Sequence, residues 1–129
     1  MVEVEIRGKT FPLCLTVAAL DEVNEKCGGL KNLTGFLNGN DDSSKSICNT
    51  AWMLGLLIRE GEENRLIEAR FAGEKTERRS VPDSAAISHL LTPGSAQQYR
   101  LAVWNAVNES MRQEIEAEYS KNAGNAGQE

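Results

Sequence analysis

The sequence predicts a mostly helical α+β fold, in which an N-terminal β-hairpin packs on a bundle of about four to five helices. Apolar and polar residues alternate over residues 2–15, which is the period of half-buried strands. From residue 16 onward the apolar residues recur every three or four positions, as they do in amphipathic helices. A chain of 129 residues builds one core. We therefore expect a single domain over residues 1–119 and a disordered polar tail over residues 120–129.

The hairpin is predicted from "MVEVEIRGKTFPLCLTV". Val2, Val4 and Ile6 alternate with charged residues, so one face of the first strand is apolar. The dipeptide Gly8-Lys9 predicts a two-residue turn whose first position has a positive φ. Pro12 has no backbone N–H, which indicates a free edge on the second strand.

The first helix is predicted after Thr16, because its apolar residues follow helical spacing. These residues are Val17, Leu20, Val23 and Cys27. Glycines 28 and 29 end this helix. The segment "LKNLTGFLNG" predicts one or two further helical turns, and serines in the polar loop "NGNDDSSKS" are expected to cap the next helix.

A helix from about residue 46 to about residue 60 is apolar around nearly its whole circumference, as in "ICNTAWMLGLLIREGEEN". Such a helix is either central in the fold or covered by another chain. Charged residues from Arg59 onward end the apolar run before the about 20 residues that a membrane span requires. Apolar residues after Gly61 are compatible with a continuation of this helix, and an exposed connection is expected from Gly73 onward.

Two helices separated by a break are predicted for the last third of the chain. Pro82 with Asp83 or Ser84 opens a short helix through Leu91, and "TPG" breaks it. Ser95 and Gln98 have the spacing of a capping box for the last helix. One face of this last helix carries an apolar stripe, made of Val103, Trp104, Val107, Met111, Ile115 and Tyr119.

An acidic cluster lies near the end of the last helix, at Glu114, Glu116 and Glu118. The helix dipole favours cations at this end, and only Lys121 follows to compensate. We therefore expect these last turns to fray unless something basic covers them.

The charge and the cysteines exclude several classes of function. A net charge of −5 and a pI near 5.0 disfavour binding to nucleic acid or to an anionic membrane surface. The acidic N-terminus differs from a signal peptide. The cysteines, Cys14, Cys27 and Cys48, are odd in number and include no close pair, which is typical of a reduced, cytoplasmic protein. A zinc site is not expected, because His89 is the only histidine.

No catalytic constellation is visible in the sequence. His89 lies in "AAISHLLTPG" without a nucleophile motif nearby, and the acidic pairs occupy polar, solvated positions. The break between the last two helices resembles a helix-turn-helix, but its second helix offers only Arg100 for reading bases. The basic segment "KTERRS" is interpreted as a solvated loop, with binding of a phosphate or an acidic partner as the alternative. We predict no enzyme activity, no cofactor and no nucleic acid.

Apolar surface is the remaining candidate for function. Two helices rich in large apolar side chains are more than one hairpin can easily cover, and exposed apolar patches mark interaction sites. Large aromatics and methionine are favoured at such sites. The predicted partner-binding residues, whose alternative is the core, are Trp52, Leu56, Val103, Trp104, Val107 and Met111.

The order of these segments resembles a known family. A hairpin running into an acidic helix, "VEVEIRGKTFPLCLTVAALDEVNEKCGG", precedes the apolar "AWMLGLLIREGEEN" and the closing "ISHLLTPGSAQQYRLAVWNAVNESM". Over residues 2–111, this layout is similar to that of the tail assembly chaperones of long-tailed bacteriophages and prophages.

The resemblance implies a non-catalytic protein in the cytoplasm of a bacterial host. Members of the family bind the tape measure protein, keep it soluble during tail assembly and are absent from the finished virion. They self-associate, and many are also made in a longer, frameshifted form. The family supplies no catalytic residues. The alternative is a small head–tail connector or tail-completion protein, which would stay in purified particles.

Overall fold

The computed structural model describes the backbone of residues 1–126 and the side chains of residues 1–112. It confirms a mostly helical α+β fold with an N-terminal hairpin. The strands are β1 (Glu3–Ile6) and β2 (Lys9–Pro12). The helices are α1 (Leu20–Cys27), α2 (Leu33–Leu37), α3 (Ser43–Phe71), α4 (Ser84–Leu90) and α5 (Pro93–Ala126). Short 3₁₀ turns at Val17–Ala19, Leu30–Asn32 and Gly39–Asp41 connect the first elements.

The hairpin forms as predicted, but its turn lies one residue earlier. Ile6 pairs with Lys9, so the turn residues are Arg7 and Gly8, with φ values of 54° and 81°. The prediction of a Gly8-Lys9 turn was therefore wrong. The observed register places Val4 opposite Phe11, and both side chains are buried. A shift by one residue would turn one of them toward solvent.

The first helix begins later than its apolar spacing suggests. A 3₁₀ turn precedes α1, and Ala19 is buried there instead of Val17, which is 75% exposed. Val23 is fully buried, as the helical spacing predicts. Gly28 ends α1 with φ 82°, which confirms the predicted stop.

The central helix is longer than the predicted residues 46–60. Asp42 caps α3 by accepting a hydrogen bond from the backbone N–H of Lys45 at 3.2 Å, so the expected serine cap was wrong. The helix continues through Gly61, and the absence of a side chain there lets α3 lie directly against the backbone of Pro12 in β2. Gly55 allows the same close approach to Ser84 at the start of α4. Both glycines serve packing between elements rather than helix termination.

The last two helices have caps close to the predicted positions. Asp83 caps α4 by accepting from the backbone N–H of Ala86 at 2.8 Å. The capping box of α5 is formed by Thr92 and Ser95 rather than by Ser95 and Gln98. Thr92 Oγ1 accepts from Ser95 N at 3.3 Å, and Ser95 Oγ accepts from Thr92 N at 3.0 Å. Pro93 is the first helical residue, a position that needs no N–H.

The core lies where α3 contacts the hairpin, α4 and α5. Its fully buried side chains include Leu54, Leu57 and Ile58 of α3 and Val103 of α5. Within residues 1–126, no helix is both long and apolar enough to span a bilayer. The predicted disordered tail over residues 120–129 stays a prediction, because its side chains and its last three residues lie outside the described part.

Candidate partner-binding surface

The structure separates the six predicted partner-binding residues into two groups. Leu56, Val103 and Val107 are at most 4% exposed and belong to the core. Trp52 and Trp104 are half-buried, and Met111 is 42% exposed. Only the second group offers surface to a partner in this fold.

Trp52 is held by contacts within the chain. Its ring packs edge-on against Phe36, with centroids 5.8 Å apart and an interplanar angle of 82°. The ammonium group of Lys26 lies 5.6 Å from the ring centroid, within cation–π range. Ser84 Oγ donates to the carbonyl oxygen of Trp52 at 2.8 Å, which ties α4 to α3. The exposed edge of Trp52 lines a cavity of about 370 Å³ beside Pro82. The contacts indicate a mainly structural role.

Trp104 and Met111 share an exposed face of α5 with Leu101, which the sequence analysis missed. Leu101 is 63% exposed. Trp104 follows Leu101 by three residues and Met111 follows it by ten. At 3.6 residues per turn, all three side chains therefore lie within about 80° of one another around the helix. We call Leu101, Trp104 and Met111 the α5 outer stripe. Helical spacing places Leu101 near Trp104 on the helix surface, but it does not show which side of α5 faces the core, where Val103 and Val107 lie.

Substituting Val103 with alanine is expected to affect stability rather than binding. The side chain is fully buried, so its truncation removes core contacts and costs about 2 kcal/mol of unfolding free energy. Urea unfolding of the variant measures this loss. The affinity of the variant for a partner, measured under conditions in which the variant is fully folded, should equal the affinity of the unchanged chain. A binding defect in the folded variant would instead place Val103 at the interface.

A buried carboxylate anchors the basic segment to α3. Glu62 is 3% exposed and accepts hydrogen bonds from Arg65 Nε and Nη2, both at 2.8 Å. It also accepts from the backbone N–H of Arg79 at 2.6 Å and from Arg79 Nε at 3.0 Å. The Arg65 guanidinium and then Arg79 lower the pKa of Glu62 from 4.5 to about 2.

The segment predicted as a solvated loop is exposed over its whole length, and the contacts with Glu62 also tether it to α3. We call residues 74–80 the strap. Arg65 also donates to the carbonyl oxygen of Glu77 at 2.8 Å, and Arg78 pairs with Glu63. Both strap arginines have carboxylate partners within the chain, Glu63 for Arg78 and Glu62 for Arg79.

Cys14, Glu60 and His89 are titratable groups outside the Glu62 cluster. Burial raises the pKa of the Cys14 thiol, which lowers the fraction of nucleophilic thiolate. Glu60 is 6% exposed, accepts from Thr16 Oγ1 and pairs with Arg59 Nε at 2.9 Å. His89 is exposed on α4. Among the described side chains, no group of three or more histidines, cysteines or carboxylates has the geometry of a metal site.

Comparisons with known proteins identify no relative of this chain. No family model matches the chain, and neither a curated protein nor a solved structure shows significant similarity to it.

Proposed function

We propose that this protein is a non-catalytic tail assembly chaperone of a bacteriophage or prophage. It binds the tape measure protein in the cytoplasm of the bacterial host, keeps it soluble until the tail tube assembles, and self-associates. The observation that carries the proposal is the α5 outer stripe, which presents three large apolar side chains on one helical face. The order of hairpin, apolar helix and closing helices supports the same family resemblance.

The stripe suits an apolar helix as its partner. Partners of this kind lie along a groove or a helix face and place anchors at helical spacing. Leu101, Trp104 and Met111 extend over ten residues of α5, which is about 15 Å of helix axis. A long helical client that would otherwise aggregate gains by burying its own apolar face there. The net charge of −5 keeps such a complex in solution.

Co-expression with the tape measure protein encoded nearby tests this proposal. The unchanged chain should carry the long protein into the soluble fraction. The double variant Leu101→Ser, Met111→Ser should lose most of this effect and keep its own thermal stability, because both side chains are already exposed. Asn105→Ser is the matched control, since Asn105 is an exposed polar residue of the same helix.

Fluorescence provides a second measurement with the purified proteins. A Trp52→Phe background leaves Trp104 as the sole tryptophan. Burial of the half-exposed ring by the client should shift its emission to shorter wavelength. Two results together would overturn the α5 outer stripe as the binding surface. They are an emission spectrum that the client does not shift, and a double serine variant that still keeps the client soluble. Recovery of the protein in purified virions would favour the head–tail connector.

A further inference from the structure

A small polar cavity lies where α3 and α5 begin. Its volume is about 140 Å³, close to that of cavities that hold a molecule of about six heavy atoms. Its polar lining includes Asp41 from the turn before α3, Ser43 and Thr50 from α3, and Gln97 and Arg100 from α5. No residue of the α5 outer stripe lines it. We call it the α3–α5 cavity.

The N-termini of two helices contribute positive charge to the α3–α5 cavity. Ser43 is the first residue of α3, Ala96 lies in the first turn of α5, and both line the cavity. Each helix N-terminus carries about half an elementary positive charge. The carboxylates of Asp41 and Asp42 oppose this charge, but both residues are exposed, so solvent screens them. The helix ends therefore favour an anion in the cavity.

Arg100 adds a full positive charge that has no carboxylate partner within the described side chains. The residue is half-buried, and its Nη2 donates to Asn38 Oδ1. That bond uses one of the five N–H donors of the guanidinium group. Arg59 and Arg79, by contrast, each pair with a carboxylate. A partly desolvated cation is stabilised by an anion beside it, and the α3–α5 cavity offers the space for one.

Thr50 supplies a second, independent indication of a ligand. It is 1% exposed and is the most buried of the residues that line the cavity. Its hydroxyl has no hydrogen-bond partner among the described residues, and a buried polar group in that state is unfavourable. Ser46, one turn earlier on α3, is satisfied within the chain, because its Oγ donates to the carbonyl oxygen of Leu37 at 2.7 Å. The Thr50 hydroxyl is therefore the donor that a bound group would satisfy.

We infer that the α3–α5 cavity binds a phosphate group. Its donors come from two helices, with the Thr50 hydroxyl on α3 and the Gln97 amide and Arg100 guanidinium on α5. A tetrahedral phosphate presents oxygen atoms in several directions, whereas a carboxylate presents two in one plane. Arginine and helix N-termini are both common phosphate ligands. The site is separate from client binding, because no residue of the α5 outer stripe takes part.

Titration of the ¹⁵N-labelled full-length chain with inorganic phosphate tests the site directly. At constant pH and ionic strength, the backbone amide signals of Ser43, Thr50 and Gln97 should shift and reach saturation. Acetate should bind at least tenfold more weakly, because a planar carboxylate reaches fewer of the donors. Methyl phosphate distinguishes a free ion from an esterified group. Tighter binding of the ester would assign the site to the end of a phosphorylated molecule.

Two variants remove donors from the cavity. Arg100→Gln should weaken phosphate binding at least tenfold. Arg112→Gln is the matched control, since it removes the same charge from an exposed position of α5 that does not line the cavity. Thr50→Val should weaken binding severalfold. Its melting temperature without phosphate should equal or exceed that of the unchanged chain, because valine has a similar shape and no unpaired hydroxyl.

Asp41→Asn should change the affinity in the opposite direction. The substitution removes the carboxylate that repels an anion, so phosphate should bind severalfold more tightly. The φ of Asp41 is 70°, in the left-handed region, where asparagine is tolerated as well as aspartate. The variant should therefore fold like the unchanged chain, and its affinity tests the site even if Arg100→Gln proves unstable.

Four results would each overturn the phosphate site. The first is the absence of saturable shifts, as expected for a cavity that holds only water. The second is acetate binding as tightly as phosphate. The third is an equal loss of affinity in Arg100→Gln and Arg112→Gln, which would indicate attraction by overall charge. The fourth is an Asp41→Asn variant that binds phosphate no more tightly than the unchanged chain.

Discussion

Replacing Gly61 with alanine is expected to lower the unfolding free energy by about 3 kcal/mol or more, the upper end of overpacking costs. A Cβ atom at this position would overlap the backbone carbonyl oxygen of Pro12. Backbone cannot rotate out of the way as a side chain can, so α3 and β2 would have to separate. That movement would loosen the packing of Leu13, which is buried directly after the last residue of β2.

Gly94→Ala is the matched control for Gly61→Ala. Gly94 is also helical, but no atom lies within 4 Å of the position of its added Cβ. Its substitution should be neutral or stabilise by up to about 1 kcal/mol, the helix-propensity difference between the two residues. Chemical unfolding of both variants measures the contrast. If the two variants had equal unfolding free energies, the close approach of Gly61 to the Pro12 backbone would not restrict the residue at position 61.

Replacing Glu62 with glutamine is expected to cost about 3 kcal/mol at neutral pH. The carboxylate is buried and receives hydrogen bonds from Arg65 and Arg79. A pKa lowered from 4.5 to about 2 expresses how strongly the folded state favours the charged form. Glutamine keeps the shape but removes the charge, which leaves two guanidinium groups without their shared partner. The strap should then detach, and proteolysis between residues 74 and 80 should accelerate.

The pH dependence follows from the direction of the same shift. Because the pKa of Glu62 is lower in the folded state, its contribution to stability is fully present above about pH 4.5. The contribution decreases as the pH falls and is lost near pH 2. The unchanged chain should therefore lose stability over this window more steeply than the Glu62→Gln variant. Urea unfolding at a series of pH values measures the difference.

Glu63→Gln is the control for charge alone. Glu63 pairs with Arg78, but both side chains are more than a third exposed. Solvent screens such a pair, so its loss should cost less than about 1 kcal/mol. If Glu62→Gln were no more harmful than Glu63→Gln, the buried anchor would contribute nothing beyond an ordinary surface ion pair.

The candidate surface was only partly predictable from the sequence. Trp104 and Met111 were identified and retain exposed surface, whereas Val103 and Val107 are buried. Helical spacing shows which residues share a side of α5, but not which side meets α3. Leu101 was missed for this reason, since its exposure depends on the rotation of α5 about its own axis.

Close contacts between secondary-structure elements could not be predicted from the sequence either. Glycine is read locally as a flexible or terminating residue, and Gly61 accordingly marked an uncertain helix boundary. In the structure it is the point where α3 touches β2. Glu62 was similarly taken as one of many surface carboxylates, although two arginines from different positions converge on it.

The sequence by itself determined the fold class, the hairpin, the order of the helices and the helix stop at Gly28. These depend on the periods of apolar residues and on local backbone preferences, which act over a few neighbouring positions. Only the tertiary structure decided the hairpin register, the length of α3, the anchoring of the strap and the exposed face of α5. Those features depend on which distant surfaces pack together, because burial and charge pairing are properties of the folded arrangement rather than of any short segment.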